Sequence, residues 1–198
     1  MEIEPLSIEG AFLVTPRQHG DPRGRFLEWY RFDQLAAAVG HPLRLAQGNM
    51  SVSARGVVRG IHFADVPPSQ AKYISCVRGA ALDVVVDIRV GSPTYGRHET
   101  VLLDETDRRA VYLAEGLGHG FCALTDDATL VYLCSETYAP AREHGIDPLD
   151  LELGIDWPVD SPQLSDRDAA APSLADAAAR GLLPSYEACQ KLYAELRG

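Results

Sequence analysis

Residues 81–90, ALDVVVDIRV, decide how this chain is built. Leu82, Val84, Val86 and Ile88 fall on one side of it, and Asp83, Val85, Asp87 and Arg89 on the other. Alternation of period two over a valine-rich run marks a β-strand. The first set suits packing between two sheets; the second suits a polar barrel interior or solvent.

Working outward, similar segments recur on both sides. RLAQGNMSVS (44–53), GVVRGIHF (56–63), AKYISCVRG (71–79), RHETVLLD (97–104), RAVYLAEG (109–116), GHGFCALT (118–125) and ATLVYLCSETY (128–138) read as strands separated by turn signals. Their spacing of roughly eight to twelve residues is that of a sandwich or barrel. Upstream, GAFLVTPRQHGDPRGRFLEWY (10–30) reads as a strand, a Gly/Asp/Pro turn and a second strand from near Arg25. RFDQLAAAVG (31–40) reads as a short helix stopped by Gly40. Downstream, WPVDSPQLSDRDAAAP (157–172) is irregular, and SLADAAARGLL (173–183) and SYEACQKLYAELRG (185–198) read as helices covering an open end. With no internal repeat or linker, residues 1–198 are expected to form one domain.

Composition narrows the function classes. A net charge of −10 argues against coating a nucleic acid or an anionic membrane. A phosphorylated ligand therefore needs a local cluster of cations working against the global field. No apolar run reaches the roughly 18 residues of a membrane span. The opening MEIEPLSIEGAF lacks the basic start and apolar core of a secretion signal, so the expected location is cytoplasmic. Cys76, Cys122, Cys134 and Cys189 are scattered, without the spacing of a zinc site or disulfide framework, and read as reduced, buried thiols.

The chain has 18 Lys and Arg residues, but only Lys72 and Lys191 are lysines. Lys191 belongs to a tail helix. Lys72 keeps a compact ammonium with a tunable pKa in a chain that otherwise uses guanidinium. It closes the stretch RGIHFADVPPSQAKY (59–73), which also carries Arg59 and His62. A strand histidine such as His62 is either a hydrogen-bonded structural group or a base. Nearby Arg59 and Lys72 disfavour a second positive charge and favour a neutral imidazole that can accept a proton. Tyr132 shares a face with Leu130 and Cys134 and is either core filler or a general acid. His119, between glycines, is a phosphate donor, a ligand or a turn residue. Gln47 and Asn49 alternate onto one face, where amides either satisfy each other or read a planar ligand edge. Arg23 and Glu28 flank a turn and read as solvated charges. Metal binding is not expected, because His62 is followed by no HxH partner and by no Glu before Gly79.

The motifs RGIHF (59–63), AKYISCVRGAALDVVVDIRVGSPTYG (71–96), YLAEGLGHGFCALTDDATLVYLCSETYAPAREHGIDPLDLELGIDWP (112–158) and LSDRDAAAP (164–172) together resemble the dTDP-4-dehydrorhamnose 3,5-epimerase family from about Leu6 to Pro172. The resemblance implies an all-β, double-stranded β-helix barrel of the cupin (jelly-roll) type with short C-terminal helices. It implies a homodimer with strand exchange, no cofactor and no metal, acting on a dTDP-4-keto-6-deoxyhexose. It makes His62 the base, Asp168 the residue orienting it, Tyr132 the acid, and Lys72 the cation at the keto oxygen. Arg59 and His119 match positions that bind the phosphates and sugar. Arg23, Glu28, Gln47 and Asn49 match the nucleotide set, part of it supplied by the partner subunit. Tyr138 matches the residue that stacks on thymine, and Glu143 a further binding carboxylate. Arg167 stands in this binding region where the family motif has a lysine.

The residues IHFAD and IDPLDLELGI depart from the usual pattern and resemble the branch that serves antibiotic deoxysugars. Inversion at carbon 3 alone is therefore the expected reaction. The alternatives are 3,5-double or 5-epimerisation, a 3,4-ketoisomerase, and a non-catalytic nucleotide-sugar barrel.

Overall fold

The computed structural model describes residues 1–198. Its elements in chain order are β1 (Glu2–Pro5), β2 (Ala11–Thr15), β3 (Gln18–Asp21), β4 (Gly24–Leu27), α1 (Phe32–Val39), β5 (Gln47–Ser53), β6 (Val58–Ala64), β7 (Lys72–Arg78), β8 (Ala80–Val86), β9 (His98–Asp104), β10 (Ala110–Leu113), β11 (Gly118–Ala123), β12 (Ala128–Cys134), β13 (Glu143–Gly145), α2 (Asp166–Ala169), α3 (Leu174–Ala179) and α4 (Tyr186–Arg197). The protein is mostly strand with a few short helices. No helix is long and apolar enough to cross a membrane.

Two sheets face each other, ordered β1-β2-β10-β7-β12-β5 and β13-β6-β11-β8-β9. From β5 onward the chain crosses between them at nearly every step. The β3–β4 hairpin stands apart as a two-stranded sheet. The eight strands expected between residues 44 and 138 all form, and Gly40, with φ +92°, ends α1 in the left-handed conformation that glycine adopts without steric cost. β1, β3, β13 and α2 fall where no element was expected.

Apolar side chains form three layers. Ile74, Val111 and Leu130 of the first sheet meet Val85, Leu103 and Phe121 of the second in a core between the sheets. Val84, Val86 and Ile88 instead pack beneath Ile146, Leu153, Trp157 and Leu174, on the outer face of the second sheet. For residues 81–90 this corrects the expected place of the set led by Leu82. Asp83, buried and bonded to His119, keeps the polar interior that was one of its two expected places. The alternation of the run is as read, but the set led by Leu82 faces the C-terminal segment, and Val85 faces the facing sheet. Alternation alone shows that a strand has two faces; when both are covered, composition cannot tell which is which.

The third layer joins Tyr73 and Tyr112 of the first sheet's outer face to Leu35 and Val39 of α1 and to Cys189 and Tyr193 of α4. The C-terminal helices thus lie along the outer faces, where their apolar stripes find partners, rather than across an open end. All four cysteines are buried.

Asp87 and Arg89, expected in a polar interior or in solvent, are fully buried beyond the end of β8 and form an ion pair (Nη2–Oδ2 2.8 Å). Arg89 Nε also donates to Asp87 Oδ1, and the hydroxyls of Ser92 and Thr94 donate to Asp87 Oδ2. Such complete satisfaction is what a charge removed from water requires. The guanidinium lies against the ring of Tyr186, tying this corner to α4.

Candidate active site

The space between the sheets is divided. One part is the apolar core; the other is a cleft of about 190 Å³. Strands β5, β7 and β12 supply one wall. Register places Asn49 beside Tyr132, and Gln47 and Lys72 on either side of Cys134, so all five side chains share the interior face. Strands β6 and β11 supply the opposite wall, where His62 lies across from His119.

Arg59 and His62 also face this cleft together. Their separation of three would put them on opposite faces of a regular strand. The β6–β11 register solves the problem: His119 pairs with His62, but Phe121 pairs with Arg59, so three residues of β6 span two of β11. The extra residue turns Arg59 back to the side of His62. Gly60 makes the bulge possible. Its φ is +124°, and a Cβ there would meet Gly120 Cα at 2.5 Å and His119 O at 2.7 Å.

His62 is 36% exposed and its Nε2 lies 2.7 Å from Asp168 Oδ1; the Asp168 side chain is 5% exposed. Burial alone would raise the carboxyl, but the hydrogen bond from His62, its charge, and bonds from Ser165 and the Gly60 backbone hold Asp168 below the usual aspartate value. An ionised carboxylate only accepts hydrogen bonds, so Nε2 carries a proton, and in the neutral imidazole that leaves the lone pair on Nδ1. Ser165 caps α2 and so fixes Asp168, which arrives from 106 residues downstream.

On the facing wall, burial raises the Tyr132 hydroxyl well above its ordinary value, so it is a protonated donor at neutral pH. Burial lowers the Lys72 ammonium, while Cys134, Glu143 and Asp83 pull the other way. His119 is held through Nε2 by Asp83 Oδ2 at 2.7 Å, both nearly fully buried, and its ring meets that of Tyr132 edge-on at 6.2 Å. Arg59 Nε donates to Ser53 Oγ at 3.1 Å. Two imidazoles, a guanidinium and an ammonium therefore converge in a chain of net charge −10, with Glu143 at the rim.

The other expected residues divide into two groups. Gln47, Asn49, Tyr138 and Glu143 line the cleft. Gln47 Nε2 donates to Asn49 Oδ1 at 2.7 Å, and Gln47 Oε1 accepts from the Tyr138 backbone at 2.8 Å, so the two amides bond to each other in this state. Arg23, Glu28 and Arg167 do not reach the cleft within this chain. Arg23 sits at the β3–β4 turn, 91% exposed and paired with Asp21. Glu28 pairs with Arg31, and Arg167 donates to the Glu143 carbonyl.

Asp83, Ser51, Ser53, Gln70 and Cys134 belong to the site but were not singled out from the sequence as functional. For Asp83 the signal was an acid inside a valine run. No three His, Cys, Asp or Glu side chains are grouped so that they could hold a metal ion.

Comparison with known proteins adds a family. The family model described as dTDP-4-dehydrorhamnose 3,5-epimerase matches residues 5–176. A relative of that description from Mycolicibacterium smegmatis is 57% identical over 198 residues, covering 100% of this chain and 98% of the relative. The crystal structure of NovW, a 4-keto-6-deoxy sugar epimerase from the novobiocin cluster of Streptomyces spheroides, is 64% identical with a TM-score of 0.95, covering 96% of each chain. ChmJ, a 3'-monoepimerase from Streptomyces bikiniensis solved with dTDP-quinovose, is 57% identical with a TM-score of 0.95, covering 98% of each.

Proposed function

The chain belongs to the dTDP-4-dehydrorhamnose 3,5-epimerase family, and from that premise we propose that it inverts carbon 3 of a dTDP-4-keto-6-deoxyhexose in deoxysugar biosynthesis. The observation that carries this reading is the placement of base and acid on opposite sheets. His62 looks into the cleft from β6 and Tyr132 from β12. A flat sugar between them is reached from both faces, and inversion at carbon needs proton removal from one face and delivery to the other.

A hydrogen on the carbon beside a ketone is acidic because its electron pair moves onto the carbonyl oxygen. His62 Nδ1 takes that proton, with Asp168 stabilising the imidazolium. Positioned general bases contribute roughly 10²–10⁴-fold. Lys72 donates to the enolate oxygen, where charge exists only after proton removal. Tyr132 then returns a proton to the opposite face. Arg59 and His119 bind the diphosphate. Gln47, Asn49 and Glu143 complete the nucleotide-sugar set, Arg167 acts from outside the cleft by holding the Glu143 backbone, and Tyr138, exposed at the rim, stacks on the base.

Several structural features support the rest of the reading. Alternation of successive strands between two facing sheets supports a cupin-type double-stranded β-helix, and the absence of an internal repeat or linker supports one domain over residues 1–198. The edge strand β5 exposes Met50 and Val52. Beside it, Trp29, Val77 and Leu133 line an apolar groove of about 400 Å³. An unpaired edge next to exposed apolar surface fits a homodimer, with Arg23 and Glu28 serving the partner's cleft.

The deciding experiment incubates the enzyme with dTDP-4-keto-6-deoxyglucose in deuterated water and reads the sugar by NMR. Deuterium at carbon 3 alone, with inversion there, is expected. Label at both carbons makes the enzyme a 3,5-epimerase, and no label at either refutes epimerisation.

A further inference from the structure

Tyr132 has a partner that the reaction scheme has not used. Its hydroxyl lies 3.0 Å from Ser51 Oγ, the one hydrogen bond this phenol makes. Ser51 stands on β5 opposite Leu130, one interior step from Asn49, which faces Tyr132 itself. The next interior residue, Ser53, accepts from Arg59 Nε. Two serines on one face of one strand thus hold two working groups, while Met50 and Val52 on the opposite face are exposed. An interior strand position facing a sheet usually carries an apolar side chain, because burial there is stabilising. Here the hydroxyls forgo that gain.

From this geometry we propose that Ser51 is the positioning residue of the proton donor: it fixes the Tyr132 phenol and donates a hydrogen bond to the phenolate formed as the proton leaves. The inference rests on the epimerase reading. When Tyr132 protonates carbon, its O–H bond breaks and a full charge appears on oxygen. A serine hydroxyl has one proton and two lone pairs, so it turns from acceptor to donor without moving a heavy atom. Hydrogen bonds to charged groups are stronger than those between neutral ones, so the contact gains strength in the transition state. After product leaves, Tyr132 regains a proton from water and His62 gives one up, which closes the balance.

The test uses Ser51→Ala together with the matched pair Ser51→Thr and Ser51→Val, which differ from each other in a hydroxyl but hardly in volume. Each is incubated with dTDP-4-keto-6-deoxyglucose in deuterated water, and label uptake and inversion are followed separately by NMR. Thermal unfolding and dTDP binding report the fold. In Ser51→Ala and Ser51→Val, inversion is expected to fall roughly ten- to a hundredfold. His62 still removes and returns the proton on its own face, so the ratio of label uptake to inversion rises; Ser51→Thr keeps the wild-type ratio. Three variants that all keep that ratio overturn the proposal, and so do Thr and Val variants that fail alike, since packing rather than the hydroxyl is then at work. A wild-type enzyme that takes up no label overturns the epimerase reading itself, and this inference with it.

Discussion

Replacing Asp168 by Asn tests the base directly. The carboxylate accepts His62 Nε2–H at 2.7 Å from a nearly fully buried position. A hydrogen bond to a charged group contributes about 1.5–3 kcal/mol, or roughly ten- to a hundredfold in rate once His62 becomes an imidazolium. Asparagine has a second effect. Its amide can turn its NH₂ toward the ring and select the tautomer with Nδ1 protonated, which removes the lone pair from the cleft. The total then approaches the whole contribution of a general base, about 10²–10⁴-fold.

The assay is kcat for inversion beside dTDP affinity by calorimetry, with affinity unchanged because Asp168 lies outside the cleft lining. A kcat within a factor of about ten of wild type, or a loss confined to KM, refutes the assignment. Stability gives an independent check. The folded-state pKa of Asp168 is lowered, so its pairing stabilises the fold above the unfolded aspartate value near 3.9 and is lost as pH falls through the folded value. The wild-type advantage in Tm over Asp168→Asn should therefore be present at neutral pH and vanish in acid.

Lys72→Met removes the ammonium while keeping most of the chain volume. Loss of one donor to a developing oxyanion costs about 10²–10³ in kcat, whereas Tm should hold or rise because a desolvated charge is gone; a lower Tm with unchanged kcat would mean that Lys72 is structural. Gly60→Ala forces a Cβ against Gly120 and the His119 carbonyl at a positive φ. Overpacking costs about 1–3 kcal/mol, each kcal/mol being about 2–4 °C of Tm at this size, and kcat should fall further because the bulge aims both Arg59 and His62; unchanged kcat and Tm would contradict the bulge geometry.

The sequence carried more of the strands than of their orientation. Eight strands were legible because period two, valine enrichment and turn residues agreed with one another. So was the shared face of Leu130, Tyr132 and Cys134, since a regular strand preserves alternation. Arg59 and His62 are the instructive case. Strict alternation separates them, and only the RGIH motif placed them in one site; the structural cause is a bulge whose signature is one glycine in β6 facing another in β11. The Asp83–His119 pair could not be read, because it depends on which face of β8 turns inward. Ser51 was invisible for a plainer reason: a serine alternating with Met and Val on an edge strand looks like a solvated face. β13 has three residues, too few for any period to register.

The division of the interior explains why stability and function are written on the same strands. β7 gives Ile74 and Cys76 to the core and Lys72 to the cleft. β12 gives Leu130 to the core and Tyr132 to the cleft, and β11 gives Phe121 to both. A polar cleft occupying part of the inter-sheet space removes apolar burial that a sandwich of this size would otherwise have, at roughly 25 cal/mol per Å². The outer layers offset that loss. Val84, Val86 and Ile88 are buried by the segment after β13, and the same segment delivers Asp168 to His62. Trp157 and Leu174 therefore act on catalysis at a distance, because the packing that replaces the lost core also seats the carboxylate. Small cavities at Trp157 or Leu174 should lower kcat as well as Tm, whereas equal cavities in the α1–α4 layer, which carries no catalytic group, should lower Tm alone.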